Sequence, residues 1–221
     1  MMLKVTVLYN LPEKGDASDL DTQKSALAVA EGLKKNYEVE MLGINLGEIG
    51  KIKNIKTDFV FNLIEWLGND LDYALKAFKD LEKTGIPYSG SDAKGYELAG
   101  NKLIMKNALD KNGIVTPKWQ VIEKVQGPGS KVQDFSYPVI LKPVAEHCGI
   151  GIGQDSVANN ETELITKVDV FLKKFQQPIL VEEFVDGREL HVTVLERNGE
   201  PWVLPPAEVV RSMPPDQRNM S

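Results

Sequence analysis

A lysine at the end of an apolar run, followed by a glycine-rich turn, is the clearest candidate for phosphate chemistry in this chain. Residues 139–143 read Val-Ile-Leu-Lys-Pro, and residues 146–153 contain three glycines. Glycine has no Cβ, so such a turn can bring backbone N–H groups close to phosphate oxygens, and the ammonium of Lys142 can neutralise the same oxygens. The glycine spacing matches neither a Walker loop nor a dinucleotide-binding fingerprint. Taken alone, a glycine-rich β-turn beside a surface lysine remains an equal alternative.

A second group of candidates lies where residues 179–184 run into an Asp-Gly turn. The peptide groups at a strand edge can meet the polar edge of a purine, and a carboxylate beyond the turn can accept hydrogen bonds from ribose hydroxyls. The members of this group are Glu182, Glu183, Phe184, Val185 and Glu189. A solvated hairpin is the alternative interpretation.

A third group consists of two lysines, Lys102 and Lys106, on the predicted helix 101–111. Their spacing of four residues places both on one helix face. Lysines in this arrangement are usually solvated, so this pattern alone does not indicate a site.

Composition limits the possible partners and compartments. The chain has 221 residues, a net charge of −6 and a pI near 5.1, so it has no general electrostatic attraction to nucleic acid or anionic membrane. Cys148 is the only cysteine, which excludes an intramolecular disulfide. The apolar N-terminal run lacks the features of a signal peptide and is too short to cross a bilayer. We expect a cytoplasmic protein that binds neither nucleic acid nor membrane.

The elements of the first part of the chain alternate between strand and helix. Strands are predicted at residues 4–9, 37–42 and 58–63, with a helix that Thr22 or Ser25 caps and a second helix at 71–83. The loop at 43–57 has room for a short helix. This alternation predicts a small doubly wound parallel sheet up to about residue 95.

The pattern then changes to α+β organisation with hairpins. One long helix is predicted at residues 161–175, and the strands are predicted at 119–123, 139–142, 151–157, 179–184, 189–196 and 202–204. A domain boundary near residues 95–100 follows from this change.

In their order and spacing, these motifs resemble the D-alanine–D-alanine ligase branch of the ATP-grasp superfamily. The matching segments are Phe61-Asn62-Leu63-Ile64-Glu65, residues 85–91, Lys102, residues 113–117, Lys142-Pro143 and residues 181–189. The resemblance covers about residues 5–208. It implies an N-terminal substrate domain (1–95), a central ATP-grasp subdomain with the phosphate loop (96–178), and the start of a C-terminal ATP-grasp subdomain (179–221) that is incomplete.

The resemblance also implies a role for each candidate residue. Lys102 and Lys142 contact ATP phosphates, over which the loop with Glu146, Cys148, Gly149, Ile150 and Gly151 closes. Glu182 accepts a hydrogen bond from the adenine amino group, and Glu189 binds the ribose. The backbone of Glu183 and Val185 meets the adenine edge, which Phe184 flanks.

The implied reaction joins a carboxylate to an amine. The carboxylate of an amino-acid-like substrate attacks the ATP γ-phosphate, and an amine then displaces phosphate from the acyl phosphate. The family uses two Mg²⁺ ions, whose ligands are expected beyond residue 221, and its members commonly form homodimers. The chain alone is therefore expected to bind nucleotide without ligating. A non-catalytic nucleotide-binding protein and one half of a split enzyme are the alternatives.

Three departures from the family pattern weaken D-alanine as the substrate. Cys148-Gly149 stands where dipeptide ligases of this branch have adjacent serines, and His147 replaces a usual glycine. The first loop begins Asn10-Leu11-Pro12 and lacks the family's serine there. We expect an amino-acid ligase with another substrate.

Overall fold

The computed structural model describes residues 2–11, 17–66, 68–124, 132, 134–147 and 149–210. It divides into two compact units, one formed by Met1–Ile114 with Val144–Cys148 and the other by Val115–Pro143 with Gly149–Ser221. These units differ from the division at residues 95 and 178 that the family resemblance implies, and that division stays a prediction.

The first unit contains a three-stranded parallel sheet in the order β2-β1-β3. Its strands are β1 (Lys4–Asn10), β2 (Glu38–Ile44) and β3 (Phe59–Leu63). Strand β1 is central, and Val5 pairs with Val39 on one side and with Phe59 on the other. The predicted parallel sheet is thereby confirmed.

Both faces of this sheet are covered, as a doubly wound arrangement requires. Val7 and Tyr9 of β1 pack with Ala26 and Ala30 of helix α1 (Ala17–Leu33). Leu8 points to the opposite face, because side chains alternate along a strand, and it belongs to a core with helix α2 (Leu71–Glu82). A 3₁₀ helix, Leu46–Asn54, adds Ile49 and Ile52 to that core and begins with a capping box formed by Asn45 and Glu48.

Two further helices complete the first unit. Helix α3 (Ala93–Gly100) begins where the Asp92 carboxylate accepts from the Gly95 N–H at 2.7 Å, and α4 (Lys102–Lys111) is capped by Asn101. The predicted helix at 101–111 is confirmed, whereas α3 was not predicted. Its two glycines, Gly95 and Gly100, obscure the helical pattern of an eight-residue segment.

The second unit contains a four-stranded antiparallel sheet in the order β4-β7-β5-β6. The strands are β4 (Trp119–Ile122), β5 (Val139–Pro143), β6 (Val157–Ala158) and β7 (Ile179–Glu183). Helix α5 (Glu161–Phe175) packs on one face through Leu164, Val168 and Phe171, which contact the inward side chains of β5 and β7.

Two small antiparallel ribbons follow in the described part of the second unit. Strand β8 (Leu190–His191) pairs with β11 (Ala207–Glu208), and β9 (Val194–Arg197) pairs with β10 (Glu200–Val203). Their side chains are exposed, including Trp202 and Val203. The α+β prediction for this part of the chain is confirmed.

Two sequence predictions are wrong in their bounds. Helix α1 begins at Ala17 and not at Thr22 or Ser25, because cap preference is a weak signal that a longer helix overrides. The predicted strand at 151–157 is mostly a turn and a 3₁₀ helix, Gln154–Ser156. There the Ser156 hydroxyl donates to the Gly153 carbonyl at 2.7 Å, and such local bonds compete with a strand ladder.

No helix in the described ranges is long and apolar enough to cross a membrane.

Candidate functional site

Lys142 and Glu182 form an ion pair across two neighbouring strands of the second unit. Ile140 of β5 pairs with Glu182 of β7, so Lys142, two residues further along β5, lies diagonally opposite Glu182 on the same sheet face. The Lys142 Nζ donates to Glu182 Oε1. The side chains are 25% and 10% exposed, so the charges lie in a largely desolvated position.

The opposite face of this sheet carries the apolar core. Val139, Leu141, Ile179 and Val181 alternate with the charged pair along β5 and β7 and are buried against α5. Because side chains alternate between the two faces of a sheet, Lys142 points away from the core.

The end of β7 shows which peptide groups the sheet uses. The Glu183 N–H donates to the Lys118 carbonyl at 3.0 Å, and the Phe184 N–H donates to the Pro138 carbonyl at 2.9 Å. The Glu183 carboxylate accepts from the Ser136 N–H at 2.8 Å. Val185, two residues further along the chain, is 69% exposed.

Glu189 lies beside the ribbon formed by β8 and β11. Its carboxylate is 3.3 Å from His191 Nε2, and its carbonyl accepts from the Val209 N–H at 2.9 Å. The neighbouring Arg188 donates to both carboxylate oxygens of Glu208, each at 2.8 Å, and this lowers the pKa of the Glu208 carboxyl. The sequence alone did not indicate this ion pair, because Arg188 and Glu208 are 20 positions apart.

The second half of the glycine-rich loop belongs to the second unit. Gly149 and Gly151 both have positive φ, +74° and +77°, and the Ile152 N–H donates to the Gly149 carbonyl at 2.9 Å. A Cβ on Gly151 would lie 2.5 Å from the Phe175 ring, so any other residue there requires the ring to shift and also strains the backbone. Ile150 between them is 40% exposed. Cys148 lies outside the described residues.

Lys102 and Glu146 come together in the first unit. Lys102 is the first residue of α4, where Asn101 Oδ1 accepts from the Leu103 and Ile104 N–H groups at 3.0 and 3.2 Å. The Lys102 backbone N–H donates to the Val144 carbonyl at 2.9 Å, and its Nζ donates to the Glu146 carbonyl. The first residues of the glycine-rich loop are therefore fixed to the start of α4.

His147 packs beside Lys102 in the same unit. Burial lowers the pKa of its imidazole, and the positive charge of Lys102 lowers it further. Its Nε2 is buried and, in the described part of the chain, has no hydrogen-bond partner. In the sequence, this residue is a departure from the glycine that is usual in the family.

Comparisons with known proteins show the family to which this chain is similar. The family described as D-ala D-ala ligase C-terminus matches residues 108–214. An uncharacterized protein of Sinorhizobium fredii is 34% identical over 149 residues, which are 67% of this chain and 42% of that protein. A D-alanine–D-alanine ligase of a Marinomonas species is 35% identical over 181 residues, which are 78% of this chain and 54% of that protein.

A solved structure shares the fold. The crystal structure of D-alanine–D-alanine ligase from Bacillus anthracis complexed with ATP matches with a TM-score of 0.65 and 19% identity, over 96% of this chain and 72% of that one. A parallel α/β unit, an antiparallel sheet with its lysine–glutamate pair, and these matches define an ATP-grasp protein. Within that superfamily the chain belongs to the D-alanine–D-alanine ligase-like branch. It spans about half the length of the curated relatives described above.

Proposed function

We propose that this chain carries the nucleotide-binding part of an ATP-dependent carboxylate–amine ligase that acts on amino-acid-like substrates. The observation that carries the proposal is the Lys142–Glu182 pair, which stands on the sheet face opposite the apolar core. A largely desolvated ammonium and carboxylate on adjacent strands can bind the phosphates and the amino group of one nucleotide.

Within the second unit the ATP contacts divide by chemical type. Glu182 accepts from the adenine amino group, while the Glu183 carbonyl and the Val185 N–H pair with the rest of the adenine edge beside Phe184. Lys142 has three N–H donors, so it can hold Glu182 and a phosphate oxygen together. Glu189 accepts from the ribose hydroxyls, and the backbone N–H groups of Gly149, Ile150 and Gly151 donate to phosphate.

In the first unit, Lys102 and the loop residues Glu146 and Cys148 are proposed to contact ATP phosphates. In ligation, a substrate carboxylate oxygen would attack the γ-phosphorus as ADP leaves, and an amine would then attack the acyl carbon as phosphate leaves. The lysines would neutralise the phosphates and fix their position, which is the main contribution a protein makes to phosphoryl transfer.

Mg²⁺ is assigned to none of the residues that the structure describes. In those ranges no three His, Cys, Asp or Glu side chains are gathered so that they could hold a metal ion. In nucleotide sites Mg²⁺ is commonly held by one or two carboxylates together with the phosphates, and none of the described carboxylates is assigned to it, so we derive no catalytic step through the metal from this chain.

Titration calorimetry of the 221-residue chain with ATP tests the proposal. We expect the wild-type chain to bind ATP. Lys142→Met should weaken this binding about tenfold or more, because a charge-assisted phosphate contact is lost. Glu182→Gln should reduce the preference for ATP over GTP, whose base presents a carbonyl where adenine has its amino group. Lys173→Met removes an exposed lysine that pairs with Asp169 on α5, and it serves as the control. Equal affinity of wild type and Lys142→Met for ATP would refute the assignment.

Phosphate release from ATP with a panel of amino acids tests the reaction. We expect that this chain binds ATP without releasing phosphate in a substrate-dependent way. Release that depends on one amino acid would contradict this expectation and would identify the carboxylate substrate.

A further inference from the structure

Three hydrogen bonds tie the start of the glycine-rich loop to the turn between α3 and α4. The Lys102 N–H donates to the Val144 carbonyl at 2.9 Å, and the Lys102 Nζ donates to the Glu146 carbonyl. The third joins the His147 imidazole to the backbone of Gly100. All of these residues belong to the first unit.

The imidazole packs closely on the backbone of Gly100. The hydrogen bond between them raises the pKa of the ring, so the ring is the donor and the Gly100 carbonyl is the acceptor. A Cβ on Gly100 would lie 3.0 Å from Leu71 Cδ1 and 3.8 Å from His147 Nε2, so glycine allows the ring to approach closely.

The charges that face the ring are those of Lys102, Glu65 and Glu146. Burial and Lys102 lower the pKa of His147, and the two carboxylates oppose them to a lesser degree. An ordinary histidine has a pKa near 6.5, so this ring is neutral at pH 7 and carries one N–H. A neutral ring keeps one N–H for the bond to Gly100 and is not repelled by the charge of Lys102.

We propose that His147 is a positioning residue for Lys102: its ring holds the first residues of the glycine-rich loop against the α3–α4 turn and so fixes the lysine for phosphate. The inference rests on the proposed function, because it gives Lys102 the role of a phosphate ligand. His147 itself touches no nucleotide in this assignment and acts through the loop backbone.

Hydrogen exchange of the Lys102 amide tests the contact without any nucleotide. His147→Ala should lower the protection of this amide about tenfold, since one buried hydrogen bond and its packing are lost. His147→Gln keeps an N–H donor and should retain protection within about threefold. The Asn112 amide at the far end of α4, which donates to the Ala108 carbonyl at 3.2 Å, reports on the helix itself and should change in neither variant.

The pH dependence of the protection of the Lys102 amide shows whether the His147 ring acts through its hydrogen bond or only by filling space. Because the folded-state pKa is lowered, the neutral ring is favoured and its contribution is complete above the unfolded value near 6.5. The contribution is lost as the pH falls below that value. We expect the protection of Lys102, corrected for intrinsic exchange, to fall between pH 7.5 and 5.5 in wild type and to stay constant in His147→Gln.

A double-mutant cycle on ATP binding then tests the route through Lys102. His147→Ala should weaken ATP binding severalfold in the wild-type background and have almost no further effect on Lys102→Met. If the two substitutions instead weaken the affinity for ATP by factors that multiply, His147 acts independently of Lys102, and the proposal would be overturned. Unchanged Lys102 protection in His147→Ala would also overturn it, even if the chain proves not to bind ATP, so this failure is separate from failure of the proposed function.

Discussion

At the scale of single residues, the ion pair of Lys142 with Glu182 joins positions that are 40 residues apart in sequence. Each residue could be identified as a candidate from its place at the end of an apolar run. Their contact could not be predicted, because it depends on the register in which β5 pairs with β7. The contacts of Arg188 with Glu208 and of the His147 ring with Gly100 could not be predicted either, because they also join residues that are distant in sequence.

The pairing of Lys142 with Glu182 predicts how stability responds to substitution. Lys142→Met leaves the Glu182 carboxylate largely desolvated without its counter-charge, which should lower the free energy of unfolding by about 2–3 kcal/mol. Combining it with Glu182→Leu should restore part of that loss, since a buried ion pair can be replaced by apolar groups. Urea unfolding of the single and double variants measures both effects.

The control for this prediction is an ion pair of the same chemistry on the surface. Lys173 and Asp169 on α5 are 73% and 46% exposed, and exposed pairs contribute about 0.5 kcal/mol or less. If Lys142→Met and Lys173→Met destabilise the chain equally, desolvation does not strengthen the site pair.

At the scale of elements, the strands and long helices were predictable and the glycine-containing segments were not. Strands β1 and β3 are apolar on both sides and α5 has helical periodicity, so composition and period agree with the fold. Helix α3 and the turn after Gly151 were missed because tertiary contacts decide them. Gly100 contacts Leu71, and Gly151 faces Phe175.

Two glycines of the glycine-rich loop should differ in how much stability an alanine substitution costs. Gly149 and Gly151 share a positive φ, but only Gly151 has a neighbour, the Phe175 ring, within reach of an added Cβ. Gly149→Ala should cost about 1 kcal/mol from backbone strain alone. Gly151→Ala adds a clash and should cost about 2–3 kcal/mol. Chemical denaturation of the two variants measures the difference, and equal losses would show that the ring moves aside freely.

At the scale of the whole molecule, the apolar cores follow the two compact units. The clusters around Leu8 and Val7 contain only residues of the first unit, and the cluster around Leu164 contains only residues of the second. The sequence predicted a change of organisation along the chain. It did not predict that Val144–Cys148, which follows β5, belongs to the first unit, because contacts such as that between Lys102 and Val144 are long-range.

Separate cores predict separate effects of cavity-forming substitutions. Leu81→Ala removes a buried side chain from the first unit and Leu164→Ala removes one from the second, and each should cost about 2–5 kcal/mol in its own unit. Hydrogen exchange then discriminates between local and global destabilisation, because each unit carries its own strand amides. In Leu164→Ala, the amides of β5 and β7 should lose protection while those of β1 keep it, and Leu81→Ala should give the reverse. Equal loss in both sheets for either variant would mean that the two units unfold as one cooperative body. In that case, substitutions at Lys142 would also change the protection of Lys102, and the tests of the two lysines would have to be interpreted together.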